Sequence, residues 1–506
     1  MKSLVFAMAA MAALSGAAKE RPWVVVNEDN DHYYKNDISL DREFWKDRSN
    51  ESLMTKEALE AYADHYCASN KLTHLFWCPQ GQCANYDSKV WDPIWWGLSD
   101  TNCCWKYETP RDGDLGKPNN FAKNAKLLFD RGIDPYKVWI DRTRSHGVSP
   151  WISMRMNDCH WQWVKNHYRC TRFSHAHPEL RIGRGEGTWD ASAMDYMFPE
   201  VRERHLKMVK ELVDRYDADG LEMDFLRANA YFRPQDVKKG TPLMTEFIRQ
   251  CRAYVDEKVK RTGKPYLLAM RCRPLPEGCR AAGFDIETIA KEGLVDVIIP
   301  CLGTSFGEKP FAPPYAEWKE LVKNSPRPIR IVCGATAHLG QEVHSAATLK
   351  AWAQYMHSVG AHDLYLFNLE YNNPATRYAV YREGIMDEDK CCQGYRRFHF
   401  TPAPNWAMTI PKDGKFKFEM PLNYVAGKKA SMSVGMGQRC DVAALEATRL
   451  KVNGTEVPVK AVPNGNGRPG GSISVDLLKV LKPGMNEFEL VTDVKDQCAV
   501  AAIDVE

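Results

Sequence analysis

The segment Ala218-Asp219-Gly220-Leu221-Glu222-Met223-Asp224-Phe225-Leu226-Arg227 decides how the chain is read. It is short, mostly apolar and set between two helical patterns. Residues 199–216 place Val209, Leu212, Val213 and Tyr216 at helical spacing, and residues 244–260 do the same with Phe247, Ile248, Cys251, Tyr254 and Val255. A strand between two helices is the repeating unit of a parallel sheet covered on both faces. Side chains alternate along a strand, so residues 222, 224 and 226 share one face. Glu222 and Asp224 therefore point together into the interior. Two neighbouring carboxylates there are costly unless paired or used. A like-charged pair also splits its pKa values, which yields an acid and a base in one place.

Working outward, the same alternation runs from residue 22 to about 390. Short apolar runs at 23–27, 73–77, 149–156, 220–225, 266–271, 295–300, 329–333 and 364–369 read as eight strands. Helical patterns at 55–67, 135–146, 199–216, 244–260 and 348–359, with a short one near 374–383, fall between or after them. Eight strands with intervening helices predict an α/β fold, a (β/α)8 TIM barrel. Near residue 396 the periodicity changes. Phe416, Phe418 and Met420 alternate with polar residues, and strand-like runs at 430–434, 449–452, 456–459, 472–475 and 487–491 are separated by Gly, Asn and Pro. Asn453-Gly454 reads as a tight hairpin turn. The tail predicts a small C-terminal all-β sandwich. The expected division is 1–18 signal peptide, 19–395 barrel catalytic domain and 396–506 β-sandwich domain, with 401–405 as linker.

Composition narrows the classes. The 506 residues carry a net charge of +3 and no run of like charges, which excludes a dedicated nucleic-acid binder. Lys2 precedes an apolar stretch that ends in small residues at Ala17 and Ala18. This is the pattern of a secretory signal, too short to span a membrane. The expectation is a secreted or periplasmic protein without membrane insertion. The 16 cysteines include Cys272, Cys301 and Cys333 inside apolar runs, where a thiol acts as a small hydrophobe. Cys78 with Cys83, and Cys159 with Cys170, are near enough in sequence to bridge. No zinc-type spacing occurs, and neither a metal nor an organic cofactor is expected. Fifteen tryptophans, many in the first third, suit packing and, for a few such as Trp77 and Trp161, stacking on sugar rings.

Barrel enzymes carry their chemistry at the C-terminal ends of the strands. Asp224, nearest the strand end, is the first candidate for a catalytic residue, with Glu222 one layer deeper as support. Arg155 and Asn157 end strand 3, Asp158 and His160 follow, Arg227 follows strand 4, and Arg271 ends strand 5. Inward arginines hold carboxylates or substrate oxygens bidentately. Strand 8 ends in Asn368-Leu369-Glu370. Glu370 is the provisional second carboxylate, Asp158 its rival, and Asp29, Asp31 and Glu277 are weaker ones.

These motifs carry a resemblance. Residues 73–82 (THLFWCPQGQ), 85–91 (NYDSKVW), 154–160 (MRMNDCH) and 219–227 (DGLEMDFLR) resemble a group of bacterial barrel proteins described as glycoside-hydrolase-family-10-like. The resemblance covers about 22–395 and implies a (β/α)8 fold with glycosidase activity. Family 18 chitinases share part of the 219–224 motif, but Leu226 stands where their acid would be, which argues against that chemistry. Asp224 matches the nucleophile of α-amylase- and α-galactosidase-type enzymes by position alone. The expected function is a secreted glycoside hydrolase acting on a polysaccharide or oligosaccharide. Asp224 would be nucleophile or base and Glu370 the acid. Arg155, Asn157, His160, Trp161, Trp77, Arg227, Arg271 and Asn368 would line the site. The arginines suggest an anionic carbohydrate. The alternative is a non-catalytic extracellular glycan-binding protein on a degenerate barrel. A barrel lyase or esterase ranks third, the latter weakened because no Gly-x-Ser-x-Gly elbow is present.

Overall fold

The computed structural model describes residues 21–29, 31–35, 50–68, 71–97, 120–160, 162, 167–183, 190–228, 230–302, 312–336, 346–367, 387–391, 394–399, 413–422, 429–436, 442–465, 470–494 and 499–506. Eight parallel strands close into a barrel with helices between them. They are β1 Val24–Glu28, β2 His74–Trp77, β3 Ser149–Arg155, β4 Gly220–Asp224, β5 Leu267–Cys272, β6 Val297–Leu302, β7 and β8 Leu364–Phe367. β7 is written in two segments, Arg330–Ile331 and Cys333–Thr336, with Val332 N–H still donating to Ile298 O at 3.0 Å. Each strand pairs with its sequence neighbours, and β8 pairs with β1 to close the ring.

The segment around residue 220 sits as its alternation requires. Glu222 lies beside Ser153 of β3 and Ala269 of β5, and Asp224 beside Arg155 and Arg271. Gly220 is there for space: a Cβ would stand 2.5 Å from the Trp151 ring and 2.7 Å from Leu267 O. Its absence lets the Trp151 indole lie in the barrel interior, stacked on Phe76 at 4.8 Å. Trp23, Val25, Phe76, Trp151, Ala269, Val297, Ile299, Val332, Tyr365 and Phe367 belong to this inner apolar cluster. Outside the ring, a larger core fills the space between strands and helices. It includes Leu75, Ile152, Met154, Leu221, Met223, Leu268 and Ile298 from the outward strand positions.

The helices follow their local chemistry. Thr55 caps Lys56–Cys67, Asp134 caps Pro135–Ser145 with Pro at its first turn, and Gly263 ends Val237–Thr262 in the left-handed conformation. That last helix starts earlier than 244 because Gly240 and Pro242, both in its first two turns, do not break it. At Gly240 a Cβ would meet the Phe232 ring at 2.4 Å, so the glycine is a packing residue. Asn120–Asp130, Pro276–Ala281, Ile286–Glu292 and Tyr315–Val322 are helices that the periodicity reading did not separate out. The pattern near 374–383 and the linker at 401–405 lie outside the described residues, as does the segment 1–18.

From Arg396 onward the strands are antiparallel. One sheet orders Arg396–His399, Ala499–Val505, Ala430–Met436, Gly471–Asp476 and Lys460–Pro463, and the other Lys415–Leu422, Gly484–Val491, Arg449–Val452 and Thr455–Val457. Met432, Val434, Ile473 and Ile503 of the first share one apolar cluster with Met420, Leu450, Phe488 and Leu490 of the second. Asn453 (φ 51) and Gly454 (φ 80) make the hairpin turn. Ala351 of the helix Ala346–Ser358 joins this cluster, and Arg396 Nη1 donates to Gln354 Oε1 at 3.2 Å on the same helix.

Candidate functional site

The C-terminal ends of β1, β3, β4 and β5 gather ionisable groups in layers. The deepest holds Glu222, fully buried, with Asn27 Nδ2 of β1 donating to its Oε2 at 2.8 Å. Burial, and then the adjacent Asp224 charge, push the Glu222 carboxyl up to about 7. Arg271 and the Ser153 and Tyr365 hydroxyls turned toward it pull the other way. One layer up, Arg271 Nε and Nη2 donate to Asp224 Oδ1 and Oδ2, each at 3.0 Å, and the Leu226 N–H donates to Oδ1 at 2.9 Å. Both partners are buried, and Arg271 also packs 3.9 Å from the Phe367 ring centroid. Two carboxylates face one guanidinium, and retaining the proton on Glu222 leaves Asp224 as the matched anion.

The layer at the mouth is built on Arg155, Asp158 and His160. Arg155 Nη1 donates to Asp158 Oδ2 at 2.6 Å and Nη2 pairs with Asp29 just past β1. Burial, then the Arg227 charge, bring Arg155 down to about 10. Burial alone would raise the Asp158 carboxyl, but the His160 ring, Arg155 and Arg227 outweigh it and hold it well below the usual carboxylate range. His160 Nδ1 lies 2.6 Å from Asp158 Oδ1, and burial draws this imidazole down to about 4, so it is neutral at neutral pH. The neutral ring then donates through Nδ1 to Asp158 and accepts at Nε2, where Arg227 Nη2 lies 3.3 Å away. The loop after β2 supports this layer from behind. Gln80 Nε2 donates to Arg155 O at 2.9 Å, and Gln82 Nε2 donates to Asp158 O.

Asp29, Asp31 and His32 each bring one ligand atom within 4.8 Å of the others, the one such grouping that could hold a metal ion among the described residues. Its carboxylates already meet cations: Asp29 holds Arg155, and Asp31 lies 3.1 Å from Arg169 Nη2. Two crevices open beside this layer, of about 300 and 240 Å3 including space open to solvent. Asp158 lines both, and Arg155, His160 and Arg169 line the second.

Several expected site residues have other work. Asp224 is fully buried, with Arg271 and the Leu226 amide bonded to its oxygens, and it lines neither crevice. Asn157 is buried and spends its amide on the loop above β3, donating to Met194 O at 2.9 Å and Ala230 O at 2.8 Å and accepting from Met194 N. Trp77 corrects the stacking expectation. It points out of the ring, fully buried, stacked on Trp139 at 4.7 Å and donating to Thr143 Oγ1. Trp91, Trp95 and Trp151 are buried as well. Trp161, Asn368 and Glu370 lie outside the described residues. Cys78 and Cys83 do not bridge: their thiols donate to Gln80 O and Arg169 O. Sequence reasoning did not single out Arg169 or Gln82, which come to the mouth from loops without a periodic signal. No described helix is long and apolar enough to cross a membrane.

No protein-family model and no curated protein matches the sequence. Solved structures similar to the chain include carbohydrate-active enzymes. A noncanonic maltogenic α-amylase from Thermotoga neapolitana is 12% identical over 95% of this chain and 99% of that one, with a TM-score of 0.38. A family 27 β-L-arabinopyranosidase from Geobacillus stearothermophilus is 12% identical over 94% and 98%, at 0.37. A cycloisomaltooligosaccharide glucanotransferase from Paenibacillus sp., complexed with cycloisomaltoheptaose, is 9% identical over 96% of this chain, at 0.35. This chain spans 57% of that enzyme's length.

Proposed function

We propose that the protein is an exported glycoside hydrolase of the kind that the family-10-like motifs imply, with its carbohydrate bound at the barrel mouth. The observation that carries this reading is Asp158: an ionised carboxylate at the C-terminal end of β3 that lines both crevices beside two arginines and a neutral histidine. Asp158 takes the role of nucleophile or base, and Glu370 after β8 is the proposed acid. Asp224 and Glu222 are then the charge-balanced floor on which the mouth is built. Incubation of the purified protein with a glycan panel, with product stereochemistry followed by NMR, tests this. Asp158→Asn should abolish hydrolysis, and cleavage by that variant at the parent rate refutes the assignment.

A second reading has its own observation. Asp29, Asp31, Asp158 and Asp224 each already hold an arginine. A mouth so balanced suits binding without turnover. Saturable glycan binding with no product would favour it.

A further inference from the structure

The arginines at the mouth are not equivalent. Arg155 meets Asp29 and Asp158, Arg169 meets Asp31, and Arg271 meets Asp224. Arg227 has no carboxylate within ion-pair distance among the described residues. It follows β4 directly, and its guanidinium lies 5.2 Å from the ring centroid of Phe367, the last residue of β8. The side chain thus spans from the end of β4 to the end of β8. Its Nη2 is directed at His160 Nε2, while its buried Nε has no acceptor. His160 is in turn fixed by Asp158, so the chain Asp158–His160–Arg227 sets where the guanidinium stands.

A half-buried cation with an unanswered N–H is costly, and an incoming anion removes that cost through charge-assisted hydrogen bonds. Guanidinium geometry suits two oxygens of one group, such as a carboxylate or a sulfate ester. We propose that Arg227 recognises an anionic substituent of the bound saccharide, a uronate carboxylate or a sulfate ester, with His160 and Phe367 as positioning residues. The proposal rests on the reading of the mouth as a carbohydrate site.

The test is calorimetric titration of the full chain with an oligogalacturonide, a sulfated galactan oligosaccharide and a neutral xylo-oligosaccharide, with hydrolysis of each scored separately. The parent should bind at least one anionic probe, and which one distinguishes carboxylate from sulfate. Arg227→Met should weaken that binding about tenfold or more, Arg227→Lys less, and added salt should weaken the parent. Thermal melts show whether the variants are folded. Neutral-only binding, no binding of either anionic probe, or unchanged anionic affinity in a folded Arg227→Met overturns the proposal. Cleavage of the neutral probe by the parent, with neither anionic probe bound, would remove this inference and leave the hydrolase reading standing. Anionic binding without cleavage would do the reverse.

Discussion

Replacing Glu222 with Gln should stabilise the protein, and only at higher pH. In the folded chain this carboxyl sits at about 7 against an ordinary value of 4.5, because burial and Asp224 penalise its charge. Below about pH 4.5 it is protonated folded and unfolded, and costs nothing. Between 4.5 and 7 the unfolded chain ionises it while the barrel retains the proton, so folded stability falls as pH rises and levels off above 7. At about 1.4 kcal/mol per pH unit, the full cost is about 3 kcal/mol. Glutamine keeps the shape and the oxygen that accepts from Asn27 Nδ2, and it cannot ionise. Urea unfolding followed by tryptophan fluorescence would measure the difference between variant and parent. Expected values are near zero at about pH 4.5 and about 3 kcal/mol in favour of the variant at about pH 8.5. Other titrating groups are common to both proteins and cancel. A difference that is the same at both pH values, or a variant less stable than the parent at the higher one, refutes the charge-balance account of the barrel floor.

Asp224→Asn should destabilise the fold by about 1–3 kcal/mol, because Arg271 loses its two-point partner and the deeper Glu222 is left to balance its charge. A urea midpoint equal to that of the parent would contradict this. It follows that lost activity in this variant does not by itself mark Asp224 as catalytic. Acid should destabilise the protein through its buried histidines. Burial draws His74 and His205 down to about 3 from 6.5, so stability present above 6.5 is lost as pH falls toward 3. In thermal melts across that range, His205→Gln should lose less than the parent; an identical slope would count against it.

Much of the barrel was legible because its signals are local. The inward alternation of Glu222, Asp224 and Leu226, the helix starts at Pro135 and Pro199 and the turn at Asn453-Gly454 each follow from short-range backbone chemistry. The reading fell short where tertiary contact decides. Trp77 and Trp151 are alike in sequence terms, yet one faces the helices and the other the barrel interior, because successive strand residues face opposite sides. Asp224 was placed correctly at the strand end. Its partner was not fixed by the sequence, since the register of β4 on β5, which sets Asp224 beside Arg271 rather than another inward arginine, is not encoded in either strand alone. Arg169 reaches Asp31 across loops whose paths no periodicity encodes.

The polar storey inside the ring also has a bearing on how the barrel is assembled. Asn27, Ser153, Glu222, Arg271 and Tyr365 come from five different strands, and each finds its neighbours at one stagger of the sheet. Slipping β4 by one residue would turn Glu222 and Asp224 outward into the apolar helix-facing layer, bring Leu221 and Met223 inward, and strand the Arg271 guanidinium in a dry interior. An all-aliphatic interior would tolerate several such arrangements at similar cost. Here the storey acts as a keyed lock, admitting one closed ring and rejecting near misses before any ligand is met.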